Sequence, residues 1–360
     1  MTFNHPDWWD QSSDQPYRLS LGEKRHVTRS HAIEYGKTAL TAFATLPFLL
    51  LRLQQQRVAL LRGDSKPIDF VGLGVSPDRG DHNAIIDLVE ELGVQHLLLR
   101  VPTWQIDQLD KYREFAEHFS GKNVLVNILQ SRDDINDPDS WTFAVESIIT
   151  AFWQLTHEFQ LGNAVNRSKW GCRHIGDYLA LLDATAHLRD GFPGIVLSGS
   201  SVIDFEPLPA LRTLVNFHRY RLDACSTLLY VNRRGSPFNR QFGIFDLKNK
   251  IRIMAALLSL SNRSDRRLWI TETNWPLLDT KPFTPNSGHP RSTVNEETQA
   301  KYLTDYYRIA WQTGLVERIY WWQLIQPGYG LVDHRSKALR KMPSYFAFKD
   351  LLSSNYLNMT

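Results

Sequence analysis

The hydrophobic rhythm of the chain changes at about Asp69. Beyond it, short runs rich in Val, Ile and Leu alternate with longer segments of helical period. The runs are "DFVGLGVSP", "VQHLLLRVP", "NVLVNILQS", "EFQLGNAVN", "GIVLSGSSV", "ACSTLLYVN", "RLWITETNW" and "ERIYWWQLI". Between them lie segments such as "HNAIIDLVEELG", "IGDYLALLDATAHLRD" and "TQAKYLTDYYRIAWQTG". Continuous apolar runs fit strands buried on both faces, and the helical period fits crossover helices. Eight such units in succession predict an α/β fold, the (β/α)8 barrel, over residues 68–360. A doubly wound sheet is the rival. "GLGVSP" offers Gly72 and Gly74 but no third glycine in place, so the dinucleotide signal fails.

Residues 1–67 read as a partly helical N-terminal extension. The stretch "TALTAFATLPFLLLRLQQQRVALLRG" is apolar on one side, interrupted by Pro47, and too short and too charged toward its end to span a bilayer. It is expected to pack as a helix on the main domain; lying on a membrane surface is the alternative. The start, "MTFNHPDWWDQSSDQ", lacks the basic opening and apolar run of a signal peptide, so a cytoplasmic setting is the default. Two cysteines, Cys172 and Cys225, make no disulfide framework and have no partner at metal spacing. The formal net charge of +3 is too small to imply nucleic acid. No cofactor is expected. The 11 tryptophans are the unusual feature: an excess often means flat apolar surfaces for stacking, though most tryptophans in any protein are core.

In a barrel, function collects where strands end. Arg100 ends the second run, with Trp104 just beyond. Asn127 and Gln130 lie on the third. Asn163 ends the fourth, followed by Asn166, Arg167 and Trp170. Tyr230 and Asn232 end the sixth, Glu272 sits in "ITETNWP" before Trp275, and Trp321, Trp322 and Gln323 are on the eighth. Glu272 is the sharpest of these. A carboxylate inside an apolar strand is costly unless it is paired or used. A structural pair with Arg100 would explain it, but its company favours catalysis.

These residues resemble clan A of the glycoside hydrolases, the retaining β-glycosidases on (β/α)8 barrels. The resemblance runs from about Asp69 to Phe348. It implies that Glu272 is the nucleophile, that Asn163 holds the sugar hydroxyl beside the reacting carbon, and that Arg100 and Tyr230 orient the nucleophile. It makes Trp321 or Trp322 the sugar platform. It also implies an Asn-Glu pair ending strand four, whose Glu is the acid/base. Here Asn163 is followed by Ala164.

Cleavage needs a carboxylic acid to protonate the leaving oxygen while a carboxylate attacks. Ala164 has no proton to give, and general acid help is worth about 10² to 10⁴ in rate. The preferred account is a Glu→Ala variant of an active hydrolase, slow or inactive, because everything else at the site looks kept. The alternative is a non-catalytic glycan-binding protein on the same barrel. A third account, a substitute carboxylate such as Asp204 or Glu206, is disfavoured, because both read as surface loop residues. Barrel chemistry through a Schiff base or a metal lacks its residues.

The expected partner is an oligosaccharide or polysaccharide. Arg132, Arg167, Lys169, Arg173, Arg233, Arg234 and Arg240 crowd the same rim, which would suit an anionic glycan. Trp104, Trp170 and Trp275 could stack on sugars. The long segment "PLLDTKPFTPNSGHPRSTVNEE" is expected to shape one end of the cleft.

Overall fold

The computed structural model describes residues 3–20, 22, 31–55, 66–284, 292–336, 338–353 and 357. Eight parallel strands close into a barrel in chain order, with the eighth pairing back onto the first. They are β1 (Val71–Val75), β2 (His96–Pro102), β3 (Asn123–Leu129), β4 (Glu158–Leu161), β5 (Val196–Ile203), β6 (Ala224–Leu228), β7 (Leu268–Thr273) and β8 (Arg318–Trp321). Each matches one of the eight apolar runs. The helices between them cover the barrel, so strand residues are buried on both faces, which is why the runs carry no alternation.

Helix boundaries follow local chemistry. The first crossover helix (His82–Leu92) starts at Asp81, whose side chain accepts from the Ala84 N–H, and stops at Gly93 with φ 71°. The seventh crossover helix (Glu296–Thr313) starts at Asn295 and stops at Gly314 in the same way.

The barrel interior holds Leu98, Leu125, Trp269, Tyr320 and Trp322 in one packed cluster. Gly72 and Gly74 are explained here. A Cβ on Gly72 would lie 2.5 Å from the Tyr320 ring, and one on Gly74 2.3 Å from the Trp322 ring. The two glycines of β1 admit the large rings of Tyr320 in β8 and of Trp322 just beyond it, and the dinucleotide reading is not needed.

The N-terminal region divides into two parts. Residues 3–20 are not a free extension; they run across the barrel mouth. The Arg79 guanidinium donates to the Gln11 carbonyl at 2.6 Å, Gln326 to the Ser12 carbonyl at 3.0 Å, and the Tyr329 hydroxyl to the Ser13 carbonyl at 3.0 Å. Further on, α1 (Ala32–Gln55) lies on α6 (Pro207–Leu214) and α7 (Leu247–Ser259), with Ala42 and Leu49 packed on the core. The remainder of the apolar stretch, 56–63, lies outside the described residues. No described helix is long and apolar enough to cross a membrane.

Candidate active site

The end of β4 is held by side chains rather than by the sheet alone. The Gln130 amide donates to the Asn163 carbonyl at 2.8 Å and to the Trp170 carbonyl at 3.0 Å, and accepts from the Asn163 N–H at 2.8 Å. Asn127 donates to the Asn163 side-chain oxygen at 3.2 Å. Asn163 is thereby fixed, and its Nδ2 remains buried without a partner. Ala164 follows with φ 48° and 0% exposure. Its methyl group sits in an apolar cluster with Trp9, Leu129, Trp170, Leu228 and Tyr230.

Across the mouth, Glu272 is 8% exposed at the end of β7. Arg100 from β2 donates to Oε2, and the Tyr230 hydroxyl from beyond β6 donates to Oε1. Both oxygens accept, the pattern of a carboxylate. Burial first, then the charge of Glu272, pushes the Tyr230 phenol well above its ordinary pKa, so it keeps its proton and remains a donor. Arg100 is itself held from three sides. It donates to Asp14 at 3.1 Å, and its guanidinium lies 3.6 Å from the Trp322 ring centroid. Asp14 also approaches Arg79 at 3.5 Å.

A cavity of about 760 Å³ opens between the two sides. Arg100, Asn163, Trp170, Tyr230, Arg234, Glu272 and Trp322 line it, together with Lys169 and Asn274. Trp322 forms floor rather than an open platform, at 2% exposure. The Arg234 guanidinium lies over Tyr230, 3.0 Å from the ring centroid, and its Nη1 is buried without a partner. Asn163 and Arg234 both line the cavity, and each keeps one buried nitrogen, Nδ2 and Nη1, without a hydrogen-bond partner.

Other predicted residues lie outside the cavity lining. Trp321 is fully buried on the outer side of the barrel and stacks on Trp275, so both serve the core. Trp104 packs against Trp8 and Trp9. Asn232 and the exposed Arg233 begin the turn after β6, and Gln323 is buried behind Trp322. Asp204 and Arg167 do reach the lining, while Glu206 does not; both carboxylates are tied to Arg167, at 2.7 and 2.6 Å. Glu158 pairs with Arg318 at the opposite end of the barrel. The cavity lining carries five basic groups (Arg18, Arg100, Arg167, Lys169, Arg234) and four acidic ones (Asp10, Asp14, Asp204, Glu272), so its charge is mixed. Of the long segment after β7, Pro276 and Thr284 reach the lining. Residues 285–291 lie outside the described residues.

Sequence reasoning missed the contribution of residues 3–20. Asp10, Ser13, Asp14, Gln15, Pro16, Tyr17 and Arg18 all line the cavity. Lys169 donates to the Gln15 side chain. The signal was present in "DWWDQ": paired tryptophans between acids do not suit a solvated tail. Among the described residues, no group of three or more His, Cys, Asp or Glu could hold a metal ion.

No family model matches the chain, and no curated protein matches it by sequence. By fold it is similar to a family 39 glycoside hydrolase from Bacteroides cellulosilyticus WH2, at TM-score 0.57 and 16% identity over 80% of this chain and 64% of that one. The chain thus spans under two thirds of that protein. It is also similar to a GH30 endoxylanase from Clostridium papyrosolvens C71, at TM-score 0.55 and 12% identity over 80% of this chain and 72% of that one. A GH113 β-1,4-mannanase matches at TM-score 0.53 and 12% identity over 80% of this chain and 99% of that one. The chain shares the closed (β/α)8 barrel fold with these glycoside hydrolases.

Proposed function

We propose that the chain acts on β-glycosides by double displacement, with Glu272 as nucleophile and Ala164 standing where the proton donor belongs. The carrying observation is the Glu272 carboxylate, gripped on both oxygens by Arg100 and Tyr230 at the wall of the cavity. Such a grip aims an oxygen at a carbon held in the cavity. Asn163 and Arg234 on the cavity lining bind substrate oxygens, and Trp170 offers an apolar face. An oligosaccharide, with an anionic group facing Arg234 and Lys169, is the substrate class.

Attack by Glu272 expels the aglycone and leaves a glycosyl ester; water then reverses the inversion. Both half-reactions need a proton shuttle opposite Glu272, about 5 Å away in retaining enzymes. Ala164 supplies none, so a natural glycan with a poor leaving group stalls, as expected of a Glu→Ala variant. An aryl glycoside with a good leaving group still forms the ester.

The test is that substrate with and without azide. Azide needs no base, and should raise turnover and yield a glycosyl azide of retained configuration. Ala164→Glu should recover natural-glycan cleavage by about 10² or more.

One observation favours a second reading, a glycan-binding protein without turnover. Ala164 is fully buried beneath the chain's own Trp9 cluster. An Ala164→Glu protein inert on a broad glycan panel, with no azide effect in the Ala form, would select that reading.

A further inference from the structure

Helix α1 is built the wrong way round for a water-facing helix. Its half-buried positions are mostly small or polar: Glu34, Thr38, Thr41, Ala42, Thr45 and Arg52, with Leu49 and Leu53 as the large apolar ones. The threonine hydroxyls bond back to carbonyls one turn earlier and offer the barrel little apolar surface. The solvent side carries the large side chains. Leu40 is 70% exposed and Phe43 80%, with Leu46, Phe48, Leu50 and Leu51 also exposed. No residue of the helix is fully buried. Amphipathic helices packed on globular domains show the reverse arrangement.

The neighbourhood extends the same pattern. The segment 238–244 leads into α7, whose Arg252 reaches the Leu53 carbonyl near the end of α1. This segment exposes Phe238, Phe242 and Ile244. Exposed cations accompany them: Arg233, Arg240 and Lys248. Among the described residues, two nearby acids, Asp246 and Glu34, are engaged. Asp246 lies 4.0 Å from Arg240, and Glu34 pairs with Lys37 at 2.5 Å and Arg212 at 3.8 Å.

We propose that α1 and the 238–244 segment dock the protein in the plane of an anionic lipid bilayer. The outward apolar side chains enter the headgroup and acyl boundary, and Arg233, Arg240 and Lys248 meet lipid phosphates. Charge complementarity selects a bilayer over a second copy of the chain, because a second copy would bring the same cations face to face. The helix lies along the barrel flank, and its apolar stretch between Lys37 and Arg52 is too short to cross a bilayer. This docking is independent of the glycosidase reading.

The test is flotation of the full-length protein with vesicles of phosphatidylcholine alone or doped with phosphatidylglycerol, alongside sedimentation velocity without lipid. The protein should float with the anionic vesicles and less so at high salt. Phe43→Asp with Leu46→Asp should lower the bound fraction at least about tenfold, since two large apolar side chains lose their burial. Both sites face solvent, so an unchanged thermal melt is expected. Arg240→Glu with Lys248→Glu, away from α1, should lower binding about fivefold per cation. Absence of flotation overturns the proposal. So does a dimer that the Phe43→Asp, Leu46→Asp pair dissolves without any vesicle binding. Equal binding to both vesicle types overturns the anionic assignment.

Discussion

The two sides of the barrel mouth are built on opposite principles. At the end of β7, a charged side chain is held by convergence. Glu272 meets Arg100 from β2 and Tyr230 from beyond β6, and Arg100 is fixed in turn by Asp14 and Trp322. At the end of β4, the polar network of Asn127, Gln130 and Asn163 stops one residue short. There Ala164 is sealed under Trp9, Trp170 and Leu228. A carboxylate survives burial where donors surround it, and would be costly among rings that offer none. One side presents a bonded carboxylate to the cavity, and the other presents packing.

The sharpest way to break this contrast is at Glu272. Glu272→Gln should remove glycosyl-ester formation from an activated aryl glycoside by about 10³-fold or more, read as burst amplitude by mass spectrometry. An ester that still forms would move the nucleophile elsewhere.

Asp14→Ala tests whether the N-terminal strap supports the Glu272 side. Arg79 and Arg100 are both nearly fully buried, so removing their shared carboxylate should cost about 3 kcal/mol, the low end for a broken buried pair because Arg100 keeps Glu272. Urea unfolding measures it. A loss under about 0.5 kcal/mol would make the strap incidental.

Ala164→Glu tests the packed side. Forcing a longer side chain into the Trp9 cluster should cost about 1–3 kcal/mol. Trp9→Ala should relieve part of that cost, so the pair should be non-additive in a double-mutant cycle. Strict additivity would separate the strap from position 164.

A test confined to one pH window concerns Lys169, between the two sides. Burial lowers its pKa to about 8, from about 10.4 in an unfolded chain. Between those values the unfolded state holds a proton that the folded state has released, so this group's contribution to stability rises with pH. Lys169→Met abolishes that slope. The stability advantage of the Met variant should be largest below pH 8 and shrink toward about pH 10. An advantage independent of pH would mean that burial of the amine is not the cause.

Much of the fold was legible because burial on both faces writes strands as unbroken apolar runs, and all eight fell where "VQHLLLRVP" and its counterparts predicted. Glu272 with its partners Arg100 and Tyr230 was legible too, since each breaks an apolar strand end. The tryptophans were not. Trp321 and Trp322 are adjacent, yet one faces the helices and the other the barrel, and only strand orientation separates them. Residues 3–20 were misjudged because their partners, Arg79, Arg100, Lys169 and Tyr329, come from distant parts of the chain.

By itself the sequence determined the local quantities: the strand and helix periods, the caps at Asp81 and Gly93, and the carboxylate that had to be paired or used. Only the tertiary structure decided what Asp14 and Trp9 do, that Ala164 is covered rather than open, and that α1 turns its apolar side outward. Periodicity says that a helix has two faces. Which face meets the barrel depends on the surface it lands on, and no local pattern of residues encodes that.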